Sequence, residues 1–238
     1  MSEPLVKLSG VSFSYEPGHN VLDRVNLELR AGDRIGLAGP NGGGKTTLLH
    51  IIVGLTKPAS GTVEAFGKVR NTEADFVDVR KKIQLLFQDA EDQLFSPTVI
   101  EDVAFGPLNL GKSRDEALAV ASETLDALGL QGYEEKITHH LSGGEKRLVS
   151  LATVLAMKPE VLLLDEPESG LDEDSIDRLV STLSRLDLSM IAVSHHREFL
   201  ERITTSGLVL RKGRLERWRA KPGESGRDPE NVKRIIPA

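Results

Sequence analysis

RIGLAGPNGGGKTT, residues 34–47, decides the fold. RIGLA at 34–38 reads as a short apolar strand, and a helical run follows from Thr47 to about Val53, closed by Gly54 and Pro58. Between them Gly39, Pro40, Asn41, Gly42, Gly43, Gly44, Lys45 and Thr46 satisfy G-x-x-x-x-G-K-[ST]. Successive glycines let the backbone curl with its N–H groups inward, and the helix start adds positive potential for a phosphate. Lys45 has the reach for the β- and γ-phosphates of a nucleotide, and the Thr46 hydroxyl suits Mg2+. Taken alone, the loop says only that phosphate is bound, and it fits a kinase, a GTPase or a motor.

Working outward, residues 5–15 and 21–29 read as strands around the turn-like EPGHN, where His19 invites no assignment. Within 21–29, Val21, Val25, Leu27 and Leu29 alternate with Asp23, Asn26, Glu28 and Arg30, as in a sheet with one wet face. Residues 60–69 read as a turn and strand and 83–87 as a buried strand. Short helices are expected from about Pro97 to Pro107, then longer ones over 113–128 and 143–157. VLLLD at 161–165 is a buried strand, 174–186 a helix, 189–194 a strand and 196–203 a short helix. Residues 207–211 and 214–218 form a closing hairpin around Lys212 and Gly213. Apolar strands alternating with helices predict an α/β fold with a mainly parallel central sheet, and the N-terminal strand pair adds an antiparallel layer. From Lys221 on, Pro, Gly and charge predict a loose tail.

The 238 residues suffice for one large domain with a smaller subdomain, and the net charge of −6 with scattered basic residues argues against a nucleic-acid partner. With no cysteine there is no disulfide framework. No stretch approaches the roughly 18–20 apolar residues of a membrane helix, and the N-terminus lacks a signal-peptide core.

Two further segments carry chemistry. Val161 to Leu164 run apolar into Asp165 and Glu166, so the strand delivers Asp165 to a sheet edge where it can hold Mg2+. Glu166, one residue on, is placed to polarise a water against a γ-phosphate, and Pro167 ends the strand. At 141–145, LSGGE reads as a helix start: Ser142 and Glu145 fit a capping box, and Gly143 and Gly144 leave N–H groups exposed for an anion.

Together these motifs resemble the nucleotide-binding subunits of ATP-binding cassette (ABC) transporters, from about residue 5 to 218, and the fold implied is the phosphate-loop NTPase of that ATPase type. Leu141 to Glu145 look like the superfamily's signature motif. The resemblance implies that Tyr15 stacks on adenine and that Thr47 belongs to the nucleotide loop. It implies that Gln88 senses Mg2+ and the attacking water, and that Asp172 lies in a loop communicating across a dimer. His195 would contact γ-phosphate and hold Glu166. The implied cofactors are ATP and Mg2+, the latter on Thr46, Gln88 and Asp165. There are departures from the pattern: Gly43 stands where serine or alanine is commoner, Glu145 where glutamine is frequent, and His196 where aspartate is usual.

The segments Phe87–Val99 and Asp102–Gly111 resemble the ATPases of energy-coupling-factor importers, particularly the cobalt and nickel type. That implies a membrane coupling protein and a substrate-binding membrane component as partners, at the cytoplasmic face of the cell membrane. Residues 1–220 are then the nucleotide-binding domain, with a helical subdomain at about 97–157 and a tail at 221–238. In the family two cassettes pack head to tail, so that Ser142 and Gly144 of one chain cover the phosphate held by Lys45 of the other. A homodimer suffices, and a heterodimer with a related ATPase is the alternative. Other readings are a vitamin importer such as one for biotin, a soluble cassette ATPase not coupled to transport, and a non-hydrolytic nucleotide-binding scaffold. The last would be favoured by loss of Lys45 or Glu166, and both are present.

Overall fold

A computed structural model describes residues 3–16, 18 and 20–218, so His19 and the tail from 221 lie outside the described residues. Two compact units form, one within 3–85, 160–166 and 188–218, the other within 86–159 and 167–187.

The first unit is built on two sheets. One holds β1 (Val6–Ser14), β2 (Asn20–Leu29), β4 (Ser60–Ala65) and β5 (Lys68–Arg70), in the order β2-β1-β4-β5 and antiparallel throughout. Val6 faces Leu29 and Leu8 faces Leu27, so the inward residues of two neighbouring strands meet. The wet-face alternation holds for Val25, Leu27 and Leu29, but at the start of β2 it is Leu22, not Val21, that is buried. A bulge explains the slip. Arg24 adopts φ 50° and gives its N–H to Ser12 Oγ, and the pairing with β1 shifts between Val11 and Phe13. One extra residue on one strand changes which side chains point inward from there on. The expected strand at 60–69 is likewise two strands, folded into a hairpin at Phe66 and Gly67, both at positive φ.

The other sheet runs β10-β9-β3-β8-β7-β6, with β3 (Arg34–Ala38), β6 (Ile83–Leu86), β7 (Val161–Asp165), β8 (Ser189–Val193), β9 (Ser206–Arg211) and β10 (Arg214–Trp218). β3 pairs parallel with both β8 and β9, β7 pairs parallel with β8, and the closing hairpin β9–β10 is antiparallel. Val161 to Leu164 are fully buried, as are Met190 to Val193. This is why these strands read as unbroken apolar runs: in a parallel sheet both faces are covered. Each buried Val, Leu, Ile or Met among them contributes about 1.5–3 kcal/mol on burial.

α1 (Lys45–Ile52) begins two residues earlier than the sequence pattern suggests, because the phosphate loop itself supplies its first turn. α2 (Glu73–Lys82) was not foreseen. Its composition is too polar for a clear apolar stripe, with only Phe76 and Val79 buried, but Thr72 and Asp75 form a reciprocal capping box that fixes its start.

The second unit is helical: α3 (Val99–Asn109), α4 (Arg114–Ala127), α5 (Gly143–Leu155) and α6 (Glu173–Arg185), with a short 3-10 turn at Thr138–His140. α3 packs on α4 and α5, and α5 on α6. Instead of short helices ending at Pro107, one helix runs through it. Val99, Val103 and Pro107 share a buried face at i, i+4 and i+8, and that packing carries the helix past the proline. α7 (Arg197–Ile203) belongs to the first unit.

Candidate nucleotide site

The carboxyl ends of β3, β7 and β8 converge on one place in the first unit. From β3 the chain enters the glycine loop and then α1, whose N-cap is Gly44 at φ 94° with no side-chain cap. The first backbone N–H groups of a helix have no partner within it, so the loop presents them as donors for an anion. A side chain at Gly44 would be strained at that φ and would place its Cβ 2.6 Å from Val21 Cγ1. The glycine is required for the turn and for packing against β2.

Lys45 is 5% exposed. Its Nζ donates to the carbonyls of Gly39 and Pro40, each at 3.1 Å, and lies 3.6 Å from Glu166 Oε1. The cation is thus folded into the loop and neutralised there by carbonyls and one carboxylate.

Asp165 ends β7 and is almost wholly buried. Burial pushes its carboxyl above the ordinary aspartate range; the Thr46 hydroxyl bonded to it opposes this, and the neighbouring Glu166 charge adds to it. Its Oδ1 is buried without a hydrogen-bond partner. Glu166 adopts φ 43°, a left-handed conformation that costs a non-glycine residue about 1–3 kcal/mol. The Glu166 N–H donates to Val193 O at 2.9 Å and holds that turn against β8. Its side chain is held from both sides: Oε1 faces Lys45, and Oε2 lies 3.1 Å from His195 Nδ1. His195 reaches this point because Ser194 N–H donates to Leu37 O, fastening the end of β8 to β3. The His196 ring lies 3.9 Å from that of His195, and the His196 backbone N–H donates to Ser194 Oγ.

Tyr15 stands just beyond β1 with its ring exposed, its edge against Phe13, and its hydroxyl 2.9 Å from Thr47 Oγ1. The first unit therefore gathers Tyr15, Gly39 to Thr47, Asp165, Glu166 and His195. Gln88, Ser142 to Glu145 and Asp172 belong to the second unit.

There, the side chain of Ser142 accepts from Glu145 N–H, and Glu145 returns a carboxylate oxygen to Ser142 N–H at 2.8 Å, so the capping box is formed. Glu145 is held at a pKa of about 2, first by the Tyr133 hydroxyl and then by the Ser142 bonds. Asp172 caps α6, accepting from Ser175 N–H at 2.7 Å, which lowers its pKa. Gln88 is exposed at the end of β6, and its backbone is clamped by buried Arg147, which donates to the carbonyls of Phe87 and Gln88. Arg147 and Tyr133 were not singled out from the sequence, because an arginine inside a helix and a tyrosine in a loop carry no pattern of their own.

A strand–glycine loop–helix with a buried lysine, beside strands ending in paired carboxylates, defines a phosphate-loop nucleotide hydrolase. The ABC transporter family profile matches residues 22–169, and the chain belongs to that family as an ATP-hydrolysing transporter subunit. A Brucella suis protein carrying the family's name is 56% identical over 90% of this chain and 88% of its own length. The energy-coupling factor transporter ATP-binding protein EcfA of Methanothermobacter thermautotrophicus is 41% identical over 97% of this chain and 75% of its own. Among solved structures, CbiO1 of Clostridium perfringens, part of the ABC transporter complex CbiONQ, superposes with a TM-score of 0.82 at 30% identity, covering 90% of this chain and 88% of that one.

Proposed function

We propose that the chain binds Mg-ATP through Gly39 to Thr47 and hydrolyses it with Glu166 as the base. The placement of Glu166 between Lys45 and His195 carries this reading. Lys45 Nζ is already at the centre of the loop and exchanges its carbonyl partners for phosphate oxygens. That exchange takes Lys45 off Glu166 Oε1 and leaves the carboxylate to accept a proton from water, while His195 keeps it oriented. Tyr15 offers an exposed ring for adenine. The donors at the end of β7 fit a hard cation, since Asp165 Oδ1 accepts no hydrogen bond and the Thr46 hydroxyl is beside the same carboxylate. Mg2+ would be held there by Thr46 and Asp165 and would neutralise phosphate charge.

Ser142, Gly143, Gly144 and Glu145 form a second helix start with an anion-binding aspect, and we assign them to the γ-phosphate on a partner chain, with Asp172 at the same dimer face. A dimeric ATP-binding cassette in a post-hydrolysis state, bound to ADP and Pi, supports assembly as a dimer; it is 26% identical with a TM-score of 0.81, covering 92% of this chain and all of that one. A homodimer is the simpler assembly, since every motif is intact in one chain.

The transport reading is import through an energy-coupling-factor system at the cytoplasmic face of the membrane, with cobalt or nickel ions as cargo. The names of EcfA and CbiO1 support the transporter class. No helix among the described residues is long and apolar enough to cross a membrane. In the second unit Phe95 and Phe105 stack edge to face at 4.8 Å yet stay 61% and 46% exposed, an apolar surface suited to a helix of a coupling protein. Vesicles holding the chain with its co-purified membrane subunits are expected to take up labelled nickel or cobalt when ATP is supplied, and Phe95→Asp is expected to abolish co-purification. Uptake of biotin alone would replace the metal reading with the vitamin one. Loss of no membrane subunit on Phe95→Asp would contradict the docking surface.

A further inference from the structure

We infer that Tyr133 is a positioning residue for the signature turn, holding Glu145 so that the Ser142 cap keeps one geometry. This rests on the assignment of Ser142–Glu145 to a partner's nucleotide.

Glu145 does two separable things. Its Oε2 accepts from Ser142 N–H at 2.8 Å, which is the capping box. Its Oε1 accepts from the Tyr133 hydroxyl at 2.6 Å and from Lys136 Nζ at 3.3 Å, which no capping box requires. An isolated box leaves its carboxylate free to swing about its own side-chain torsions. A second anchor on the other oxygen removes that freedom. The anchored carboxylate holds the Ser142 backbone through its N–H, and the Ser142 hydroxyl accepts from the Glu145 backbone N–H, so the serine is held at both ends.

An anchor must itself be held. Lys136 lies over the Tyr133 ring, 3.2 Å from its centroid, and Lys136 N–H donates to Tyr133 O. The loop that carries both residues is fastened to the start of α3. Val99 N–H donates to Lys136 O and Ile100 N–H to Glu134 O, Thr138 N–H donates to Pro97 O, and Thr98 bridges to Ile137. The signature turn is therefore connected, through one tyrosine hydroxyl and one lysine, to the segment that bears Phe95. Packing does not account for the hydroxyl. Tyr133 and Glu145 line a cavity of about 600 Å3 with Ser142, Gly144 and Arg178. The tyrosine is half-buried at its wall, where a phenylalanine ring would pack as well.

The test uses the full chain in a Glu166→Gln background, where an ATP-bound dimer accumulates, and follows dimer mass by light scattering against ATP concentration. Adding Tyr133→Phe is expected to raise the ATP needed for half-dimerisation about five- to tenfold, less than the roughly 10–100-fold of a charge-assisted hydrogen bond made to the nucleotide itself, because the hydroxyl acts only through Glu145. Fluorescent-nucleotide affinity of the dilute single chain, held by its own Lys45 loop, stays within about twofold. Glu145→Ala produces a similar loss, and the double variant is no worse than the worse single one. That non-additivity is the signature of a shared path and is read even if one variant folds in lower yield. Unchanged dimerisation in Tyr133→Phe, or additive losses, overturns the inference. A Glu166→Gln parent that never dimerises with ATP overturns the composite-site assignment and the inference with it.

Discussion

Glu166→Gln is expected to lower steady-state phosphate release about 10²–10⁴-fold while leaving ATP bound, and to accumulate a dimer in ATP. Glutamine keeps the size of the side chain and the hydrogen-bond partner for His195 Nδ1, so the left-handed turn at 166 and its bond to Val193 O persist. What is lost is the capacity to take a proton from water. It also removes the charge opposite Lys45, which in the resting chain lies 3.6 Å away, so nucleotide entry no longer breaks that pair. Binding should be as tight as in the native chain or tighter. Rapid phosphate release by this variant, measured with a coupled phosphate assay, would sink the general-base role.

The next largest effect is expected of Lys45→Ala. The lysine is 5% exposed and positioned by two carbonyls, so little ordering is needed when phosphate replaces them. Hydrogen bonds to a charged group contribute about 1.5–3 kcal/mol, so removing this one raises the dissociation constant for ATP about 10–100-fold. The readout is thermal. ATP at about a hundred times its native dissociation constant stabilises the native chain by about 2.7 kcal/mol, and the same ATP should stabilise the variant by only about 0.4–1.4 kcal/mol. A full ATP-induced shift of Tm in Lys45→Ala would show that the loop backbone alone holds the phosphates.

Much of this was legible from residue order. The loop at 39–46 dictates strand, turn and helix at once, and the parallel core followed because VLLLD and SMIAV have no polar alternation to give them a wet face. Asp165 and Glu166 were legible because an apolar run ended in two acids. What escaped has physical causes. The Arg24 bulge shifts the phase of β2 through a backbone bond to Ser12, and no side-chain pattern announces it. α2 is held by its Thr72–Asp75 cap more than by an apolar stripe. The left-handed φ of Glu166 is imposed by its bond to β8, a neighbour in space and not in sequence. The grip of Tyr133 and Lys136 on Glu145 is likewise a meeting of loop and helix that spacing does not foretell.

The assertion on which the rest depends is that one chain's loop is completed by another chain's signature turn. Mixing two inactive variants tests it directly. Lys45→Ala spoils the loop. Gly143→Asp spoils the signature turn by placing a carboxylate where the phosphate should sit, and the fold tolerates it, since a Cβ at Gly143 meets nothing within 4 Å. Each variant alone should be nearly inactive. In an equal mixture about half the dimers are mixed, and each of these holds one site made of an intact loop and an intact turn. Recovery of about a quarter of the native ATPase rate is expected, falling on dilution as dimers separate. A mixture no more active than its two components would contradict a site shared between chains.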